Sequence, residues 1–250
     1  MKIMILIIIV ISVLKLQLFS NELKIMTEEF PPYNFTKNDS LMGSSSEIMH
    51  SILKQLYNES LFESIQVLPW SRAYKLLEVD PNSILFSVTR TAKRENLFKW
   101  VGPISKSRNV LLALKDSKIN IATPEDLFKY KIGAMTDDAA GQLLTDKFFV
   151  PHSSIDFNPK LQTNLLKLKH GRIDLFAYDE NVTRWAITKN NMDPNDYETV
   201  FVLEEGFHYI AFNPSFPDSI INLFQSTLDT LKSNGQYNKI MIKYNIQIEN

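Results

Sequence analysis

The stretch SVTRTAKRENLFKWVGP, residues 87–103, decides the fold, because it joins the end of an apolar run to a cluster of cations. The basic residues of this stretch are Arg90, Lys93, Arg94 and Lys99. Such a cluster is either a solvated turn or an anion-binding site at the end of a buried strand. The rest of the chain has to decide between these two interpretations.

The hydrophobic pattern around this stretch alternates between the periods of strands and helices. Residues 83–88 read as a fully buried strand, and residues 23–26, 131–135 and 173–178 read as further strands, each followed by a helix. This alternation predicts an α/β fold with mostly parallel sheets, in which ligands bind beyond the carboxyl ends of the strands. The basic stretch and Asp179 each follow a strand directly, so both are expected where a ligand would bind.

The remaining elements follow the same pattern. Two more strands are predicted over residues 200–203 and 209–212. Apolar stripes with helical spacing predict helices from residue 44 to 56, over 71–79, around 161–168, over 182–187, over 220–231 and at the end of the chain.

Composition excludes several classes of function. The 250 residues include 27 basic and 28 acidic side chains, a balance that argues against nucleic-acid binding. The absence of cysteine excludes disulfides, thiolate metal sites, cysteine nucleophiles and a lipid-anchored bacterial export. No metal-type histidine spacing and no Gly-x-Ser-x-Gly elbow occurs, so we expect neither a metal nor a cofactor.

The first 20 residues predict a signal peptide rather than part of the fold. Lys2 is followed by an unbroken apolar run from residue 3 to 13, which is too short to span a bilayer but suits a secretory signal. Lys15 interrupts the pattern, so an uncleaved anchor stays an alternative. Export without cysteine favours the bacterial periplasm.

Five segments of the chain, taken in order, carry a resemblance to a known family. They are TEEFPPYNF (27–35), Gly43 with Glu47, Thr89-x-Thr91-x-x-Arg94 followed by Trp100 and Pro103, GRIDLFAYDENV (171–182), and the segment from Tyr209 to Ile240. Together they resemble the family 3 extracellular solute-binding proteins, periplasmic receptors that deliver polar amino acids to importers. The resemblance covers nearly all of the chain after the signal peptide.

The resemblance implies a type II periplasmic binding fold, with two lobes and two mixed or parallel sheets joined by two hinge strands. Lobe 1 is expected over residues 21–104 and 209–250, and lobe 2 over residues 108–206. The hinges are expected at residues 105–107 and 207–208. Closure of the lobes over a ligand would follow from bending at these hinges.

The resemblance also implies roles for single residues. Arg94 would pair with a ligand carboxylate, to which Thr89 would add a hydroxyl or a backbone contact. Asp179 would accept a ligand ammonium, and a plain helix cap is the alternative. Tyr33 and Trp70 would form aromatic walls of the pocket, with core packing as the alternative for both.

One segment departs from the family pattern and leaves the ligand class open. The family usually has a small, glycine-containing loop after its lobe 2 strand, whereas this chain has Thr136, Asp137 and Asp138 there. Two acids would repel a carboxylate unless they turn to solvent or cap the helix. A cationic ligand, or one that is not an α-amino acid, would account for them, and Thr136 is the better contact candidate.

We therefore expect a monomeric periplasmic protein that captures a small polar ligand, first of all an amino acid, and passes it to the membrane permease of an ABC importer. A sensor that signals to a membrane partner and a dehydratase-like enzyme on the same fold are the alternatives. Glu28 and Glu29 are the candidate acids for catalysis. As neighbours on a strand they point to opposite sides, so they cannot share a proton.

Overall fold

The computed structural model describes residues 23–57 and 59–246, and the predicted signal peptide, residues 1–20, lies outside them. Strands and helices alternate along the described chain, which confirms the α/β class. The strands are β1 (Lys24–Thr27), β2 (Phe35–Lys37), β3 (Ser40–Met42), β4 (Gln66–Val67), β5 (Ser83–Thr89), β6 (Lys99–Leu114), β7 (Ile132–Met135), β8 (Ile155–Asn158), β9 (Leu175–Asp179) and β10 (Tyr197–Phe212).

Helices follow most of the strands, as the apolar stripes predict. They are α1 (Ser44–Leu56), α2 (Glu59–Glu63), α3 (Trp70–Val79), α4 (Ala139–Asp146), α5 (Leu161–Lys169), α6 (Glu180–Lys189), α7 (Asp218–Ser233) and α8 (Gln236–Lys243). Short 3-10 turns lie at Lys115–Ser117, Pro124–Lys129, His152–Ser154 and Pro194–Asp196. In the described part of the chain, no helix has the length and apolar character needed to cross a membrane.

Eight strands form one mixed sheet in the order β4-β1-β5-β10-β6-β9-β7-β8. Strands β4, β1 and β5 run parallel and form the first strand group. Strands β9, β7 and β8 also run parallel and form the second strand group. Between the groups, β6 and β10 pair antiparallel with each other, and each pairs antiparallel with the adjoining group.

The two central strands differ most from the sequence prediction, because no strand was predicted over β6 and β10 is longer than either strand predicted within it. Residues 200–203 and 209–212 were expected as separate strands, but the structure has one strand of 16 residues, β10. It pairs with the equally long β6 from the partners Tyr197 and Leu114 at one end to Phe212 and Lys99 at the other. The separation was wrong because the polar run Glu204–Gly206 interrupts the apolar pattern but not the backbone ladder.

Both predicted hinge segments lie inside this ladder. His208 pairs with Ser105, and Phe207 pairs with Lys106. The crossing between the strand groups is therefore regular paired strand, whereas the composition of these segments was compatible with flexible connections. The lobe boundaries drawn around them stay a prediction.

The helices dock on the sheet through apolar faces. Ile48, Met49 and Ile52 of α1 are fully buried in the same cluster as Phe224 and Leu228 of α7. Complete burial of a side chain of this size contributes about 1.5–3 kcal/mol. On the other side of the sheet, a second cluster unites α4 with β6 and β9; its members include Leu111, Leu143, Leu144, Leu175 and Ala177. Apolar packing thus fixes both strand groups and leaves polar chemistry to the strand ends.

A glycine holds the start of α1 against the preceding turn. Gly43 has a φ of 116°, and a Cβ placed there would lie 2.3 Å from the carbonyl oxygen of Tyr33. That carbonyl accepts a hydrogen bond from the backbone N–H of Ser45, at 2.8 Å. The close approach and the positive φ both require glycine at this position.

We expect Gly43→Ala to lower the free energy of unfolding by at least about 2 kcal/mol, because it adds a backbone clash to a disfavoured φ. Gly171→Ala is the matched control: its φ is 62°, and among the described residues no atom lies within 4 Å of the added Cβ. Conformational strain alone should cost it about 1–2 kcal/mol. Urea unfolding followed by circular dichroism measures both variants, and equal losses would contradict the role of the close approach.

Candidate functional site

The candidate site forms where strand ends from both groups converge. Glu28 follows β1 and Thr89 ends β5, both in the first strand group. Thr136 follows β7 and Asp179 ends β9, both in the second group. Carboxyl ends of parallel strands are where ligands bind in α/β sheets. The topology thus brings the predicted site residues of both groups to the same crossing of the sheet.

The Arg94 side chain is buried against two neighbouring aromatic rings, with 1% of its surface exposed. Its guanidinium carbon lies 5.1 Å from the ring centroid of Trp70 and 5.0 Å from that of Tyr74. Both separations are within the range of cation–π attraction, which strengthens when the cation is desolvated. Burial lowers the pKa of Arg94, and the nearby Asp138 carboxylate opposes that shift.

The guanidinium joins the two strand groups. Its Nη1 donates to the carbonyl of Thr89 at 3.3 Å, within the first group. Its Nη2 donates to the carbonyl of Asp137 at 3.0 Å, and its Nε donates to Oε1 of Gln142 at 3.1 Å, both in the segment after β7. Trp70 adds a parallel contact, since its Nε1 donates to the same Asp137 carbonyl at 2.9 Å. Arg94 and Trp70, which both follow strands of the first group, therefore donate to the same carbonyl of the second group.

The two acids of the loop that departs from the family pattern lie in different surroundings. Asp137 adopts a left-handed φ of 57°, and its side chain is exposed while its carbonyl faces Arg94. Asp138 caps α4 by accepting from the backbone N–H of Ala140 at 3.0 Å. One acid turns to solvent and the other caps a helix, the two arrangements in which the sequence could tolerate them. Thr136 between β7 and these acids is partly buried.

Asp179 is a helix cap and a buried acid at once, with 2% of its surface exposed. Its Oδ1 accepts from the backbone N–H of Val182 at 3.1 Å, and its Oδ2 from that of Arg108 at 3.5 Å. The Nε2 of His208 lies 3.8 Å from the same Oδ2. Burial raises the pKa of Asp179 to about 7, although these N–H donors act in the opposite direction.

Tyr33 belongs to the wall behind the strand ends. Its ring is fully buried against Phe30 and His208, with centroids 5.4 Å and 4.8 Å away. Its hydroxyl donates to the carbonyl of Lys106 at 3.2 Å and accepts from Nδ2 of Asn181 at 2.9 Å. This contact ties the first strand group to α6 in the same way as Arg94 ties it to α4.

A cavity of about 510 Å³ opens between the strand groups beside these residues. It is lined from both sides of the sheet by Glu28, Glu29, Thr36, Val67, Leu68, Pro69, Trp70, Met135, Pro159, Leu161 and Tyr178. Of the six predicted site residues, Trp70 alone is among these lining residues. Arg94 stacks directly behind Trp70, and Asp179 is the next residue after Tyr178.

Acidic side chains line this cavity or lie beside it. Glu28 is 8% exposed, and its pKa is raised well above the ordinary value, first by burial and then by the Asp138 carboxylate. Burial also raises the pKa of Asp138. Glu28 and Asp138 thus both act on the guanidinium of Arg94, and Asp179 lies within electrostatic reach of Asp138. An arrangement of this kind is stabilised by a bound cation, because added positive charge favours the ionised carboxylates.

Comparison of the whole chain with known proteins identifies its family. The family described as "Bacterial extracellular solute-binding proteins, family 3" matches residues 23–247. The chain belongs to this family. The predicted resemblance is therefore confirmed, and with it the predicted α/β fold of type II periplasmic binding proteins.

Three relatives of this family 3 protein are informative. A "Probable histidine-binding protein" of Campylobacter jejuni is 24% identical over 223 residues, covering 87% of this chain and 82% of the relative. The structure of the "arginine-, lysine-, histidine-binding protein ArtJ" from Geobacillus stearothermophilus aligns with a TM-score of 0.72 at 16% identity, over 89% and 94% of the chains. A histidine kinase sensor domain with similarity to periplasmic binding proteins aligns with a TM-score of 0.74 at 19% identity, over 89% and 95%.

Several polar residues of the site were missed or weighed for another role. Glu28 was considered only as a catalytic acid, although it follows β1 as Asp179 ends β9. Glu28 and Glu29 follow β1 and do not lie on it, and both line the cavity. Glu29 is exposed and accepts from the backbone N–H of Thr36 at 3.0 Å, whereas Glu28 is buried. Thr91 lies within the quoted motif, and its buried Oγ1 has no hydrogen-bond partner among the described residues.

The described residues offer no group of three or more His, Asp or Glu side chains arranged to hold a metal ion. His208 is buried beside Asp179, whereas His50, His152 and His170 lie on other elements. The family and two of the three proteins above are described as binding proteins, and the third is a sensor domain with similarity to periplasmic binding proteins.

The raised pKa of Asp179 predicts a pH-dependent effect of Asp179→Asn on the ligand-free protein. The folded chain keeps the proton up to about pH 7, while the unfolded chain loses it near pH 4. In that window folding takes up a proton, so the wild type loses stability as the pH rises. The asparagine variant should gain stability relative to the wild type from about pH 4 to about pH 7, with a limiting slope of about 1.4 kcal/mol per pH unit.

Urea unfolding at a series of pH values measures this difference. Asp179→Ala controls for the helix cap, since it removes the titrating group and also the acceptor for Val182. It should follow the asparagine variant with an offset of about 1 kcal/mol at every pH. A difference between wild type and Asp179→Asn that does not change with pH would contradict the raised pKa.

Proposed function

We propose that this family 3 protein is an exported receptor that binds a basic amino acid in the cavity between its strand groups. The observation that supports this most directly is a chain of buried carboxyl groups beside the cavity: Glu28 and Asp138 act on the guanidinium of Arg94, and Asp179 lies within electrostatic reach of Asp138. A basic amino acid carries one anion and two cations. Its charges complement a site with one cation and several acids.

Each charge of the ligand has a partner in this proposal. Arg94 pairs with the ligand carboxylate, for which a guanidinium offers planar, charge-assisted donors, and Thr89 and Thr136 supply polar contacts. Asp179 accepts the α-ammonium. Glu28 and Asp138 receive the cationic side chain, with Trp70 as an aromatic wall and Tyr33 as support behind it. A neutral amino acid would leave acids buried without a counter-charge, and that is unfavourable.

The relatives are consistent with this ligand class, since their names refer to histidine, or to arginine, lysine and histidine. The raised pKa of Asp179 adds a consequence. In the ligand-free protein near neutral pH this carboxyl group is partly protonated. An arriving ammonium favours the ionised form, so binding should release a proton.

We further propose that the ligand is held by closure of two lobes, residues 21–104 with 209–250 and residues 108–206, about hinges at 105–107 and 207–208. The bonds from Arg94 and Trp70 to the Asp137 carbonyl support this proposal, because they join the two strand groups directly at the cavity.

The proposed setting is the bacterial periplasm, with residues 1–20 as the signal peptide. There the protein acts as a monomer and delivers its ligand to the permease of an ABC importer. The likeness to a histidine kinase sensor domain favours a second candidate output, signalling to a membrane partner. Reconstitution with a permease in vesicles separates the two, because only delivery to an importer gives ATP-dependent uptake of ligand.

Calorimetry with L-arginine and two analogues tests the assignment of charges. Arg94→Ala should weaken the binding of L-arginine by at least about 2 kcal/mol, or about 30-fold in Kd, because one partner of a desolvated charge pair is lost. Agmatine lacks the carboxylate, so the same substitution should change its Kd far less. Asp179→Asn should weaken L-arginine but spare 5-guanidinopentanoate, which lacks the ammonium.

Arg90→Ala is the matched control, because Arg90 lies in the same stretch but pairs with Glu95 at 2.5 Å on the surface. It should leave the Kd of L-arginine unchanged. Equal losses for L-arginine and agmatine on Arg94→Ala would remove Arg94 from the carboxylate position. Failure of the wild type to bind arginine, lysine or histidine would overturn the ligand class.

A further inference from the structure

A fully buried histidine faces the candidate ammonium site from the central ladder. His208 lies in β10, paired with Ser105 of β6 on one side and Thr89 of β5 on the other. Its Nδ1 and the Ser105 hydroxyl are 2.9 Å apart. Its Nε2 has no hydrogen-bond partner among the described residues and lies 3.8 Å from Oδ2 of Asp179.

Packing alone does not account for an imidazole at this position. The ring makes edge contacts with Phe30 and Tyr33, at centroid distances of 5.3 Å and 4.8 Å, which a phenylalanine would make as well. A buried polar atom without a partner costs free energy that an apolar ring does not. The unpartnered Nε2, aimed at a buried carboxyl group, therefore points to a task connected with Asp179.

The groups around His208 determine what it can do there. The carboxyl group of Asp179 and the hydroxyl of Ser105 lie beside its ring nitrogens, and the Tyr33 ring packs against the imidazole. Asp138 and Tyr178 lie within electrostatic reach of Asp179. Burial lowers the pKa of His208 to about 3, so the ring is neutral near pH 7. A neutral ring can donate a hydrogen bond without supplying a counter-ion.

We propose that His208 is a positioning residue for ligand binding: it accepts from the Ser105 hydroxyl at Nδ1 and directs Nε2–H at Asp179, which orients that carboxylate and stabilises it when a ligand ammonium arrives. The inference rests on the proposed function in one respect, the ammonium. A permanent cation in this place would compete with the ligand, whereas a neutral donor leaves the negative charge of Asp179 available.

Two substitutions distinguish the roles of the two ring nitrogens. The amide of His208→Asn reaches only the position of Nδ1, so it keeps a partner for Ser105 and loses the donor toward Asp179. The amide of His208→Gln reaches the position of Nε2 and keeps that donor. We expect His208→Asn to raise the pKa of Asp179 in the ligand-free protein and to weaken L-arginine about tenfold, a loss typical of a hydrogen bond to a charged group.

His208→Gln should restore most of both properties, and 5-guanidinopentanoate should be affected little by either variant. The carboxyl pKa is read from carbon-13 NMR titration, and the Kd from calorimetry. An unchanged pKa of Asp179 in a folded His208→Asn variant would overturn the proposal whatever the ligand is. A raised pKa with unchanged L-arginine affinity would overturn the role in binding.

The ring tautomer gives a test on the wild type that does not depend on how a variant folds. Nitrogen-15 NMR of His208 should show the proton on Nε2 near pH 7, and a proton on Nδ1 would overturn the proposal. If the tautomer and the pKa shift are as expected but no basic amino acid binds, the proposed ligand fails while the coupling between His208 and Asp179 stands.

Discussion

The burial of one guanidinium between the two strand groups is the interaction on which the candidate site depends. A desolvated arginine is tolerated only where its N–H groups are satisfied and its charge is balanced. Arg94 meets both conditions through two carbonyl oxygens, an amide, two aromatic faces and neighbouring acids. The carbonyl of Asp137 belongs to the second strand group, so satisfying Arg94 requires the two sides of the sheet to meet.

The acids near this guanidinium are buried by the fold. Burial raises the pKa values of Glu28, Asp138 and Asp179, so the folded protein holds protons on these carboxyl groups more tightly than the unfolded chain does. A cation bound beside them would favour their ionised forms. This is the physical basis of the proposed preference for a basic ligand over a neutral one.

Local pattern predicted most of the fold, because α1, β5 and α7 each carry an uninterrupted apolar period. The strand-end rule also located Arg94 and Asp179. The local pattern did not reveal β6, nor the full length of β10, since pairing across the sheet overrides the polar run Glu204–Gly206. The place of His208 depends on the register among three strands, and no local pattern carries that information. The same rule could have predicted Glu28 as a site residue, because it follows a strand just as Asp179 ends one.

The long pairing between β6 and β10 has a mechanical consequence. The pairing shifts register at three points, but Glu204 to His208 pair residue by residue with Asn109 to Ser105. Sliding one strand along the other would break this row of backbone hydrogen bonds, whereas flexing both strands together would keep it. The two crossings are thus stiff against shear and compliant in bending and torsion. In the proposed lobe closure, motion would therefore be bending and twisting of this strand pair, beside which Ser105, His208 and Asp179 lie.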